Sequence, residues 1–204
     1  MAKIQVVDYE DIPSKASQMR SEGQTLNSEL TTAYQSIENM HANWYGVRYN
    51  ELVELFNEMV EDLNEMLQLV VTDVPVALET VANNYSQADT GSNVTSVDST
   101  GPNKISTIAV QSDTGMRFIT SEVESVQSSV STNFTNSVTQ MNSIESIFNQ
   151  ITWESEAADA FKSKFNSLKS SIVSSFENIN EQFKTLMTQA QEDIENAETA
   201  NTVS

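Results

Sequence analysis

Three observations predict an all-α protein, two helical hairpins in one chain forming an elongated antiparallel four-helix bundle. Apolar residues recur at alternating three- and four-residue spacing on both sides of a central segment. Gly and Pro are almost absent from those stretches, as long helices require. Both tryptophans, Trp44 and Trp153, stand where an apolar stripe stops.

The first helix is expected from about Pro13 to Asn43. Met19, Leu26, Ala33 and Met40 recur every seven residues, and Gly23, Leu30, Ile37 and Trp44 follow the same period offset by four. Asp11 reads as its N-cap, with Pro13 in the first turn. A bend at Asn43–Gly46 follows, where Gly46 relieves the backbone and the Trp44 ring caps the end of the seam, its N–H toward the wetter tip. The stripe restarts with Leu52, Phe56, Met59, Leu63, Met66 and Val70, then Ala77, Val81 and Tyr85, opposite an acidic face. Pro75 removes one backbone donor and should kink this helix. From Thr90 to Gly115 the chain turns to Ser, Thr, Asn, Asp, Val and Gly, the composition of a flexible linker. A third helix carries Ile119, Val123, Val126, Val130, Phe134, Met141, Ile144 and Phe148. A second bend at Thr152–Ser155 leads to a fourth helix with Phe161, Phe165, Leu168, Ile172, Ile179, Phe183, Leu186, Ala190 and Ile194. The units are therefore residues 1–89, a linker 90–115, and residues 116–204.

A shift of 109 positions lays Trp44 on Trp153, Leu52 on Phe161, Phe56 on Phe165 and Leu63 on Ile172 without a gap, so an internal duplication is expected. Linker length predicts how the hairpins pack. A helix of 30–40 residues spans roughly 45–60 Å. The 26 residues from Thr90 to Gly115 reach at most about 85–90 Å. That is ample to cross the bundle and wasteful for a start close by, so an antiparallel arrangement is expected, with the Trp153 bend beside Tyr85 and Asp89.

Composition excludes several chemistries. There is no cysteine, hence no disulfide or thiolate metal site. A net charge of −19 repels nucleic acid and anionic membrane surfaces. The N-terminal MAKIQVVDYEDIP lacks the form of a secretory signal peptide, and no run approaches the roughly 18 apolar residues of a membrane span. The single histidine, His41, reads as an exposed polar residue. No nucleophile–base set, phosphate loop or metal cluster is visible, so neither catalysis nor a cofactor is expected.

The hairpin with Trp44-Tyr45-Gly46 at its bend resembles the ESAT-like WXG family of type VII secretion. The second bend departs from that motif, with Ser155 in the glycine position of Trp153-Glu154-Ser155, though Glu156-Ala157-Ala158-Asp159-Ala160-Phe161 is similar to the family's start of helix two. The family's Tyr-x-x-x-acid export motif is matched by Tyr85-Ser86-Gln87-Ala88-Asp89; the second half keeps the acid at Glu198 but has Ile194 in place of tyrosine. The resemblance implies a non-enzymatic secretion substrate or export partner, both family subunits fused. It would be cytoplasmic before export and secreted without a cleavable signal peptide. The secretion-system ATPase would read an exposed Tyr85 and Asp89, with Ile194 and Glu198 a degenerate second signal. An adaptor or chaperone for a larger secreted effector, and a structural helical spacer, are the other readings. Monomer and homodimer are both compatible.

Overall fold

The computed structural model describes residues 5, 6 and 8–201, with side chains from residue 8 onward. The N-terminal reading therefore rests largely on residues outside this set. The first helix, α1, spans Ile12–Met40. Pro13 lies in its first turn, but Asp11 does not cap it in the expected way. Asp11 already has helical backbone angles, its side chain makes no capping bond, and its carbonyl accepts from the Lys15 N–H at 3.2 Å.

The second helix is segmented. It comprises α2 (Val47–Glu58), α3 (Val60–Gln68), a π-helical turn at Leu69–Asp73 and α4 (Val74–Thr90). The widened turn ends two residues before Pro75, where a kink was expected. Proline cannot donate to the carbonyl four residues back, that of Val71. Arg20 of α1 supplies the missing donor, its Nε lying 3.1 Å from the Val71 oxygen. Gly23 lets the two helices close here: a Cβ at that position would fall 2.8 Å from Val71 Cγ2 and 3.0 Å from Val70 Cγ2. The second half continues as α5 (Thr120–Asn149) and α6 (Glu156–Asn201).

Four two-residue strands join the ends of the helices. β1 (Gln5–Val6) pairs antiparallel with β4 (Trp153–Glu154), and β2 (Trp44–Tyr45) with β3 (Arg117–Phe118). Each hairpin's bend thus pairs with the lead-in to the other hairpin's first helix. The hairpins are antiparallel, and contacts along the bundle agree. On one side Lys15 meets Gln150 and Glu29 meets Asn136. On the other Arg48 meets Asp193, Asp62 meets Ser171 and Glu65 meets Lys164. At mid-bundle Phe134 stacks on Phe176 with centroids 4.0 Å apart, and Phe56 bridges Phe134 and Tyr34 at 5.8 and 5.3 Å. Burial of these rings joins all four stripes into one core.

The segment whose composition suggested a flexible linker is laid along the whole bundle and bonded as it goes. Asn83 pairs with Thr95, Glu79 accepts from the Asp98 N–H, and Thr72 donates to the Thr100 carbonyl. Further on, Asn64, Asn57 and Asn50 hold Ile105, Ile108 and Gln111. Ile105 and Ile108 are buried at 4% and 5% exposure.

Candidate functional site: the two bends and the end of α4

At the first bend Gly46 has φ +121°, a region that L side chains rarely adopt, and its carbonyl accepts the first bond of α2 from Asn50 at 3.2 Å. The glycine of Trp-Tyr-Gly is thus a backbone requirement. The second bend has no such requirement. Ser155 starts α6 as an N-cap: its Oγ accepts from the Ala158 N–H at 3.1 Å and its carbonyl from the Asp159 N–H at 3.1 Å. The departure from glycine in the second half therefore exchanges a left-handed turn for a side-chain cap.

Trp44 is not a plug at a wet tip. It is 1% exposed, packed edge-on to Phe118 at 5.4 Å and stacked on Phe183 of α6 at 5.9 Å. Both partners come from the other half of the chain, so β3 and α6 close over the ring. Trp153 is half-buried beside Phe148 and Phe161, at 6.5 and 6.1 Å. His41, expected to be exposed, is half-buried and reaches Asp113 with Nε2 2.6 Å from Oδ2.

The proposed signal residues lie on the last turns of α4. Tyr85 is half-buried, correcting the expectation that it is exposed, because the apolar stripe of α4 runs through it. Asp89 is exposed and accepts from the Tyr9 hydroxyl at 2.6 Å, a bond that raises the phenol above its usual range. The helix ends at Gly91, left-handed at φ 76°, whose N–H bonds the Gln87 carbonyl at 3.0 Å. A carboxylate in the last turn opposes the helix dipole, and this turn carries no basic residue. Tyr9 supplies the donor that offsets it.

Tyr9 follows β1, which pairs with the Trp153 strand, so the leader before α1 touches both the end of α4 and the second bend. Sequence reading missed Tyr9, although the 109-residue frame lays it on Phe118, the partner of Trp44. At the opposite pole Ile194 and Asp193 border a cleft with Trp44, Gly46 and Met116, while Glu198 lies further along α6, exposed. Arg48 ties that pole together through Glu51 and Asp193. Among the described residues no group of three or more His, Asp or Glu is arranged to hold a metal, and no helix is long and apolar enough to cross a membrane.

The profile of the WXG100 family, proteins of 100 residues with WXG, matches residues 5–90. This match covers β1 through α4, with Trp44, Gly46, Tyr85 and Asp89. Over those residues the first hairpin is similar to the WXG100 family, which is associated with type VII secretion substrates. No curated protein and no solved structure matches the chain.

Proposed function

We propose that this chain is a non-enzymatic type VII secretion substrate or export partner in which two WXG-like hairpins, residues 1–89 and 116–204, are fused into one pair. The family pairs as dimers. Here the reciprocal strand exchange carries the reading, since each bend pairs with the other half's lead-in, β2 with β3 and β4 with β1. A second family-like hairpin in the same chain occupies the place of a partner subunit.

The export signal in this reading is Tyr85 and Asp89 on α4, read by the secretion ATPase at the pole that also holds Trp153. Ile194 and Glu198 form the degenerate counterpart at the pole of Trp44. The secreted protein needs no cleavable signal peptide. The four apolar stripes cover one another, which favours a stand-alone substrate over an adaptor whose stripe awaits a larger effector.

Fractionation of cells and medium tests the proposal. The chain should reach the medium in a strain with an intact secretion ATPase and stay in the cells without it. Equal release from both strains contradicts it, and stoichiometric co-purification with a larger effector moves the function to an adaptor.

A further inference from the structure

Asn50, Asn57 and Asn64 are spaced by seven residues along α2 and α3, on one helix face. Each side-chain amide makes two bonds to a single residue of the strap, the segment 92–114 laid along the bundle. Asn64 donates to the Ile105 carbonyl at 2.9 Å and accepts its N–H at 2.8 Å. Asn57 does the same with Ile108 at 2.9 and 2.8 Å. Asn50 does so with Gln111 at 2.8 and 3.0 Å. This two-bond fork is what a neighbouring residue offers in a hydrogen-bonded antiparallel strand pair. Only a primary amide side chain carries donor and acceptor in that arrangement.

The repeats are matched in length. Seven helical residues rise about 10.5 Å. Three extended residues rise about 9–10 Å. The strap accordingly repeats every three residues: Ile105 and Ile108 are buried, Gln111 is half-buried, and the pairs between them face solvent. Tyr34, Thr31 and Gln35 of α1 form the opposite wall.

We propose that the Asn50–Asn57–Asn64 face is a binding rail for an extended polypeptide with a β-branched apolar residue at successive third positions. Residues 105–111 are its resident ligand, and the rail takes the same segment from a second copy of this chain. Two features favour exchange of residues 105–111, while the strap ahead of them stays tied to Asn83, Glu79 and Thr72. The four helical stripes bury one another, with only Ile105 and Ile108 contributed by the strap. The strap is also flanked by Gly91 and Gly115, both at positive φ, with no atom within 4 Å of a Cβ built at either. The rail bonds main chain and selects only the apolar positions, so an identical segment from a second copy meets the same bonds.

The test uses the full chain with Ile105→Asp and Ile108→Asp, which vacates the rail and leaves its asparagines in place. A fluorescent peptide of residues 103–113 is titrated and followed by anisotropy. Saturable binding to this variant is expected, at least tenfold weaker to the wild-type chain and at least tenfold weaker when Asn57→Ala and Asn64→Ala are added. A peptide carrying aspartate at both isoleucines should not bind. Absence of saturable binding to the folded, vacated variant overturns the proposal, as does binding indifferent to the two asparagines. If the Asp variant fails to fold, a chain with residues 104–112 replaced by an equal length of Gly and Ser takes its place. Loss of fold in both also overturns the proposal, because the segment is then part of the cooperative core and not a ligand.

Discussion

Glu79→Ala should be among the most damaging single changes to a charged residue in this chain. Glu79 is 4% exposed and receives Arg20 through Nη1 at 2.9 Å and Nη2 at 3.3 Å, while its second oxygen also accepts the Asp98 N–H at 3.0 Å. The Arg20 side chain is 12% exposed and holds Val71 and Asp98 by their carbonyls. One ion pair therefore joins α1, the π turn, α4 and the strap. Truncating one member of a buried pair costs about 3–5 kcal/mol, because the remaining charge stays desolvated. The low end applies here: Arg20 keeps two carbonyls and the Asp98 carboxylate at 3.9 Å. The expected loss is about 3 kcal/mol. Glu79→Gln, which keeps the acceptor oxygen and the shape, should lose roughly half of that. The double variant Arg20→Met with Glu79→Ala should lose less than the sum of its parts, as groups in direct contact do. Urea denaturation followed by circular dichroism reads five proteins: wild type, Glu79→Ala, Glu79→Gln, Arg20→Met and the double variant. A Glu79→Ala loss below about 1 kcal/mol, or strict additivity in the double variant, would refute the reasoning.

Three other outcomes follow from the geometry. Gly46→Ala should cost about 1–2 kcal/mol in a thermal melt, since φ +121° stays strained even though the nearest atom, Met116 Cβ, leaves 3.5 Å. Ser155→Ala should cost about 1 kcal/mol through loss of the cap, and Ser155→Gly only a few tenths. Burial raises the Tyr49 phenol to about 12, its largest cause, with Glu38 and Asp113 adding to it, against an ordinary value of 10.0. A raised pKa keeps its stabilising contribution below the unfolded value and loses it as pH climbs toward the folded one. Stability should thus hold up to about pH 10 and then fall, this residue contributing about 1.4 kcal/mol per pH unit up to about 12. Tyr49→Phe should flatten that decline in alkaline urea titrations; an unchanged slope counts against the assignment.

The helices and bends were legible because burial of a stripe against a partner surface imposes a period that one segment carries by itself. Met19, Leu26 and Met40 show it in α1, and Phe165, Leu168 and Ile172 in α6. Linker length made the antiparallel order legible, because reach is a property of chain geometry alone. Pro75 announced a break but not its form. The π turn depends on Arg20 and Gly23, which lie on another helix. Strap docking escaped for the same reason: a three-residue period means little until laid beside asparagines seven apart on α2 and α3. Trp44 was placed at the right bend but in too wet a setting, since its cover, Phe118 and Phe183, comes from the other hairpin. Tyr9 was missed because nothing local to it points at Asp89.

Secretion of Asp89→Ala and Tyr85→Ala, each beside the wild-type chain in a strain with an intact secretion ATPase, tests the central claim most directly. Asp89 is exposed and its bond to Tyr9 lies at the surface, so its variant should melt close to wild type; Tyr85 is half-buried, so its variant is scored only alongside a melting curve. The account predicts that both folded proteins accumulate in the cells and are lost from the medium. Wild-type amounts of folded Asp89→Ala and Tyr85→Ala in the medium would contradict it.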